Sequence, residues 1–358
     1  MHRIHLFPRW ETNPYLAMLT TEARAQGWQI EGSTHTGPMF AALDALECGD
    51  VFHLHWTAPL ADVSTEDEYE ARIARFDTAL SAAEERGVRI LWTVHNVTTH
   101  DAAHPDQEIT LGRVLAHRAQ RIIVLASRTA DVVAPLYSLP AEKVVHLPHS
   151  SYQGIYPPSP RKVVARERLG IPKEQRVLGM VGGIRPYKGV DEMLAAAASL
   201  ASDDPRVAAV LAGGASRTEI EHLELILPRT MPVHRRYGTL ADEDLVLWSV
   251  ACDVHVLPYT AILNSGSMFL AATLGVPVVL PALPHLLADH GQEEWIEFFD
   301  PAAPDRVRAI ANAATRVLDS PPGQREQAAL AFARAHLPRS MAVRYLELLP
   351  RPAAPMTY

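Results

Sequence analysis

The segment VLGMVGGIRPYKGV, residues 177–190, sets two cations, Arg185 and Lys188, just after the glycine pair Gly182 and Gly183. Glycines let a backbone approach an anion. A helix N-terminus adds unpaired N–H groups and partial positive charge, and the two side chains add formal charge. The chemistry that fits is the holding of a phosphorylated small molecule. Neither G-x-G-x-x-G nor G-x-x-x-x-G-K-[ST] occurs in the segment, so neither the dinucleotide fingerprint nor the P-loop is supported. Taken alone, the segment reads equally well as an ordinary strand-to-helix turn with surface cations.

Other turns of the second half strengthen the anion reading. LAGGAS carries Gly213 directly after an apolar run, and HRRYGTL carries Arg236, Tyr237 and Gly238. In LPYTAILNSGSMFLAATLGVPVV, the run Asn264, Ser265, Gly266 and Ser267 precedes a helix expected over 268–274. Serine or asparagine caps such a helix, and the hydroxyls with the free N–H groups form a second anion site. Two anion sites in one domain suit a diphosphate.

In the first half, HLHW follows one strand and TVHNVTTHD another. His53 and His55 share a face of an extended strand and are expected at a ligand-facing rim. The pair could bind zinc, but the spacing supplies no third ligand, so no metal site is assigned. His95, at a strand end beside Asn96, is placed to grip a sugar hydroxyl or carbonyl. Glu11, in the turn FPRWETNP, is a possible general base, with an exposed loop carboxylate as the alternative.

These turns need strands to carry them. Val- and Ile-rich runs alternate with Ala-rich amphipathic segments, which predicts repeated βα units and parallel sheets. Strands are expected at 2–7, 28–31, 50–55, 89–94, 121–125 and 143–147. After a proline-rich linker, YPPSPRK, the pattern restarts at 176–181, 206–211, 231–235, 253–257 and 276–280. The expected organisation is α/β, with two facing doubly wound Rossmann-like domains, 1–156 and 157–335, a deep cleft between them, and a C-terminal helix and tail, 336–358, packing back on the first domain. Ligands belong at the C-terminal ends of the strands of such sheets.

A chain of 358 residues with 48% hydrophobic and 21% charged residues is an ordinary globular composition for two domains. Net charge is −8 with no dominant basic run, which argues against a nucleic-acid partner. Cys48 and Cys252 lie far apart and suggest no disulfide framework, and no signal peptide or membrane-spanning run is read, so a cytoplasmic location is expected. The cluster Arg113, His117, Arg118 and Arg121 keeps open a weak peripheral contact with the inner face of the membrane, the alternative being a solvated helix face.

The order GGIRPYKG, LAGG, YGTLADEDLVLWSVACDVHVLPY and SGS with LGVPVV resembles GT-B glycosyltransferases, similar to glycosyltransferase family 4 and its bacterial polysaccharide-type relatives. The resemblance implies a hexosyltransferase whose second domain binds a nucleoside-diphosphate sugar of the GDP-mannose or UDP-glucose type. The first domain would bind a glycan, a lipid-linked sugar or a small metabolite, and no metal or other cofactor would be required. Gly183, Arg185, Lys188, Gly213 and the residues 264–267 would surround the diphosphate. Arg236, Tyr237 and Gly238 would lie near the base, and His95 would contact the transferred sugar. Two departures stand out: Ile262 and Leu270 occupy places where the family commonly has glutamates, and Gly183 stands where its arginine usually lies. Transfer with inversion, using a base such as Glu11 or Asp101, therefore stays open alongside retention. A nucleotide-sugar epimerase and a non-catalytic nucleotide-sugar-binding protein are the alternatives.

Overall fold

The computed structural model describes residues 2–98 and 103–350, which form two units: unit 1 is Met1–His149 with Pro338–Tyr358, and unit 2 is Ser150–Leu337. The segment YPPSPRK thus lies in unit 2 and the last helix, Pro338–Leu346, in unit 1.

Unit 1 holds strands β1 (Arg3–Phe7), β2 (Gln29–Gly32), β3 (Val51–Leu54), β4 (Arg89–Val94), β5 (Arg121–Val124) and β6 (Val144–His146). They form a sheet in the order β2-β1-β3-β4-β5-β6, with every pairing parallel. In unit 2 the strands are β7 (Arg176–Val181), β8 (Val207–Gly213), β9 (Val233–Tyr237), β10 (Val254–Val256), β11 (Val278–Pro281) and β12 (Ile296–Phe299), in the parallel order β12-β11-β10-β7-β8-β9. Each strand order reverses beside the first strand of its unit, the topological switch point where doubly wound sheets take ligands.

The sequence explains these sheets. β8 reads VAAVLAG and is buried along its whole length, as a central parallel strand covered on both faces must be. β12 was not expected from the sequence, because its FF is flanked by charge rather than by an alternating pattern. The shift of β9 to Val233–Tyr237 from the expected 231–235 follows from Pro232, which has no N–H to give to a ladder.

The helix Pro338–Leu346 packs against the helices Pro14–Leu19 and Thr21–Ala25. Its Tyr345 hydroxyl lies 2.9 Å from Nδ1 of His53, whose Nε2 lies 2.8 Å from the Thr93 hydroxyl, all fully buried. Burial holds the His53 ring neutral, its pKa lowered to about 3. Tyr345→Phe should therefore destabilise unit 1 by about 1–3 kcal/mol, read as a shift of the denaturation midpoint, because one ring nitrogen loses its partner away from water. The sign of the pH effect follows as well. Below about 6.5, the unfolded chain binds protons that buried His53, His5 and His255 refuse, so stability should fall steadily as pH drops towards 4. Among the described residues no helix is long and apolar enough to cross a membrane. Arg118, from the basic cluster, is engaged by Asp77 at 2.6 Å and Glu84 at 3.3 Å.

Candidate functional site

In unit 2 the ends of three neighbouring strands are stitched into one loop cluster: Gly182 N donates to Ala212 O at 2.9 Å, Ile184 N to Gly214 O at 2.8 Å, and Gly238 N to Gly213 O at 2.9 Å. This closeness depends on glycine. A Cβ on Gly213, at φ 143°, would fall 1.7 Å from the Gly182 carbonyl oxygen. Gly183 differs, since nothing lies within 4 Å of where its Cβ would be. After β7 the chain makes a short 3-10 turn, Pro186–Lys188, and crosses Gly189 at φ 69° before the helix Val190–Asp203. A Cβ on Gly189 would meet the Pro258 carbonyl at 2.5 Å. Arg306 fixes the same corner, with Nη2 donating to Pro258 O at 2.8 Å and to Tyr259 O at 3.1 Å while Nε lies 2.7 Å from Glu192 Oε1.

The two expected cations are in different states. Lys188 is buried, and among the described residues no carboxylate pairs with it. Burial first, and the Arg185 charge second, lower its pKa to about 8. Arg185 is half-exposed and already engaged. Its Nη1 donates to Ile184 O at 2.6 Å, to Gly214 O at 3.1 Å and to Glu219 at 3.3 Å. Glu219 also closes a capping box with Ser216 at the start of the helix Arg217–Ile226. Its counter-charge on Arg185 was not visible in the sequence, because the two residues meet only through the fold.

The Asn264–Ser267 turn meets this cluster from the next strand. Ser265 Oγ caps the helix Gly266–Thr273 by accepting from Met268 N at 3.1 Å, and it shares a 2.7 Å hydrogen bond with the buried Tyr259 hydroxyl. Asn264 Oδ1 is buried with no partner among the described residues. Ser267 Oγ lies 4.0 Å from the Cβ position of Gly182, which sets the helix N-terminus against the first glycine of the turn. Arg236 and Tyr237 end the edge strand β9. Arg236 is exposed with Asp244 at 3.6 Å, and the Tyr237 phenol is pushed up to about 12 by burial and by Glu224.

Residues 175–320, most of unit 2, match the family model described as glycosyl transferases group 1. Over that span unit 2 is similar to the group 1 glycosyl transferases. The chain is 27% identical over 271 residues to D-inositol 3-phosphate glycosyltransferase of Thermobispora bispora, covering 66% of this chain and 62% of the relative. It is also 27% identical over 276 residues to GDP-mannose:glycolipid 4-beta-D-mannosyltransferase of Xanthomonas campestris, covering 76% of this chain and 71% of that one. Among solved structures, Anabaena HepE in complex with UDP-glucose superposes with a TM-score of 0.72 at 15% identity, covering 98% and 99% of the two chains. Sucrose-phosphate synthase from Thermosynechococcus elongatus superposes with 0.71 at 16% identity, covering 97% and 98%. The fold of this chain is therefore GT-B.

Unit 1 gathers its histidines into an aromatic cluster past the ends of β3 and β4. His55 Nδ1 lies 3.2 Å from His95 Nε2, the Trp56 ring stacks on His95 at 4.2 Å between centroids, and Tyr15 stands edge-on to His95 at 5.3 Å. Burial, then neighbouring histidines, hold the pKa of His55 and of His95 well below the ordinary value, so both rings are neutral. His55 Nε2 is buried without a partner among the described residues. An orphaned acceptor is tolerated better than an orphaned N–H. The favoured tautomer therefore has His55 Nδ1–H donating to His95 Nε2, which leaves the His95 proton on Nδ1. His95 Nδ1 is then a hydrogen-bond donor.

One expectation for unit 1 needs correction. His53 does not face a ligand rim: it is fully buried with both nitrogens used in packing. Trp56, absent from the candidate residues, is the ring that orients His95, and the aromatic that follows HLH was the signal for it. Glu11 is exposed and lines a cavity with Arg9, Trp10, Asn13 and Arg24, while Asp101 lies outside the described residues. Among the described residues no group of three or more His, Cys, Asp or Glu could hold a metal ion.

Proposed function

We propose that the protein transfers a hexose from a nucleoside-diphosphate sugar to a hydroxyl of a glycan, lipid-linked sugar or small-metabolite acceptor, without a metal. The observation that carries the reading is Lys188: a buried ammonium without a carboxylate partner, in a turn whose neighbours are glycines and a capped helix N-terminus. Transfer breaks the bond between the anomeric carbon and the β-phosphate oxygen, and negative charge grows on that oxygen as it leaves. Lys188 and the free N–H groups at the start of the helix Gly266–Thr273 stabilise that charge. Gly183 admits the diphosphate, and Gly213 holds the loop that contains it. Arg185 adds charge once its bond to Glu219 yields to phosphate. Asn264, Ser265, Gly266 and Ser267 complete the donor site, and Arg236, Tyr237 and Gly238 flank the base.

Unit 1 carries the acceptor, with His95 as the hydrogen-bond donor to the sugar and Glu11 or Asp101 as the base. Names of relatives support donors of the GDP-mannose or UDP-glucose type: one is a GDP-mannose-dependent mannosyltransferase, and HepE was solved with UDP-glucose.

A panel of nucleotides and nucleotide sugars, read by thermal stabilisation, tests the reading. A ligand held 100-fold above its Kd adds about 2.7 kcal/mol to stability. A selective shift with GDP or UDP compounds is the expected result, and no shift with any of them overturns the proposal. His95→Ala should lower turnover about 10²-fold while leaving the Kd for the nucleoside diphosphate within about twofold. Loss of nucleotide binding in that variant would remove His95 from unit 1's proposed role.

A further inference from the structure

A cavity in unit 1, beyond the end of β1 and against the helices Pro14–Leu19 and Thr21–Ala25, is lined by Arg9, Trp10, Glu11, Asn13, Leu16 and Arg24 among others. Arg9 is built into place. Its N–H donates to Ser33 O at 2.9 Å, its Nη1 donates to Ile30 O at 3.3 Å, and its stem crosses Gly32, where a Cβ would fall 2.5 Å from Arg9 Cβ and 2.6 Å from Cδ. Among the described residues no carboxylate pairs with Arg9 or Arg24, whereas arginines such as Arg3, Arg118 and Arg166 each have one. Glu11 is the acidic residue in the lining, and it is exposed.

The cavity connects to the histidine cluster through rings. Trp10, which lines it, lies 4.8 Å between centroids from Trp56, and Trp56 in turn stacks on His95 at 4.2 Å. We propose that this cavity is an anion subsite, in which Arg9 and Arg24 hold a phosphate or carboxylate of the acceptor while its reacting hydroxyl lies towards His95. The inference rests on the acceptor reading given above for unit 1. Two guanidinium groups without counter-ions recognise a tetrahedral or planar anion through charge-assisted hydrogen bonds. Trp10 offers a face to an apolar ring edge, and Asn13 and Glu11 can take neighbouring hydroxyls.

The test titrates inorganic phosphate and glucose 6-phosphate into protein already saturated with UDP or GDP, whichever binds, so that the donor loops are filled. Binding is read by calorimetry. Wild type should bind both anions and ignore glucose. Arg9→Gln and Arg24→Gln should each weaken binding about tenfold or more, with Arg9→Lys recovering part of it and the nucleotide Kd unchanged in all three. Arg24 is exposed, so its variant folds even where Arg9→Gln does not. Vesicles of phosphatidylglycerol, with phosphatidylcholine as control, separate the sources. Arginine-dependent capture of those vesicles without glucose 6-phosphate binding would assign the anion to a lipid headgroup, and the reverse to a soluble phosphate ester. Equal phosphate binding by wild type and both variants overturns the subsite, as does phosphate binding that vanishes once nucleotide is present. Failure of wild type to bind any nucleotide instead strikes the transferase reading and is seen before phosphate is added.

Discussion

Lys188→Ala should reduce sugar transfer about 10²–10³-fold, the range found when one preorganised donor to a developing oxyanion is removed. The same substitution should leave the free protein as stable as wild type or more so. Burial has lowered the ammonium's pKa to about 8, against about 10.4 in an unfolded chain. Between those values the unfolded state binds more protons, so stability rises with pH through the window, and below it the cost of the buried charge is fully present. Lys188→Met, which fills the same space without the charge, should therefore raise the melting temperature at pH 7 while lowering turnover as far as Lys188→Ala does. A residue that costs stability where it stands and is needed for rate marks a functional site rather than a packing one.

The pH dependence of binding has the opposite sign. A diphosphate beside Lys188 favours the charged form and raises its pKa, so binding takes up protons and affinity should fall as pH climbs above about 8. Calorimetry in buffers of different ionisation enthalpy measures that uptake directly. Lys188→Arg, whose charge does not titrate in this range, should flatten the profile even if it binds less well. An unchanged slope in that variant would show that another group titrates, and Lys188 would lose its role.

How much of this could be read from the chain varies with the range of the interaction. The alternation of apolar runs with amphipathic segments exposes the βα units, because a parallel strand covered on both faces must be apolar along its length, as VAAVLAG is. Glycine pairs at strand ends disclose where backbones approach, and Ser265 announces its cap locally. What pairs across the fold stays hidden. Glu219 on Arg185, Arg306 on the carbonyls of Pro258 and Tyr259, and Tyr345 on His53 link residues separated by 34, 48 and 292 positions, and no spacing rule relates them. The state of the cations is hidden for the same reason. Arg185 and Lys188 look alike in sequence, yet among the described residues one is countered by a carboxylate while the other is buried without one.

Gly213→Ala should be the most damaging single-methyl change in unit 2, costing about 2–6 kcal/mol. The added carbon would lie 1.7 Å from the Gly182 carbonyl oxygen, and φ 143° is a conformation that L residues rarely adopt. Neither backbone can retreat cheaply, since the Gly213 carbonyl accepts from Gly238 N and the Gly182 N–H is bound to Ala212 O. Gly183→Ala makes the informative contrast. That glycine is not among those with positive φ, and nothing lies within 4 Å of its Cβ position, so stability should change by no more than about 0.5 kcal/mol. The open space is where the diphosphate is proposed to approach, so the same methyl should weaken nucleotide binding about tenfold or more through lost contact with the backbone. One alanine would then break the fold and its neighbour only the function. Normal nucleotide affinity in a folded Gly183→Ala protein would place the phosphates elsewhere, and the role given to the glycine turn would have to be withdrawn along with them.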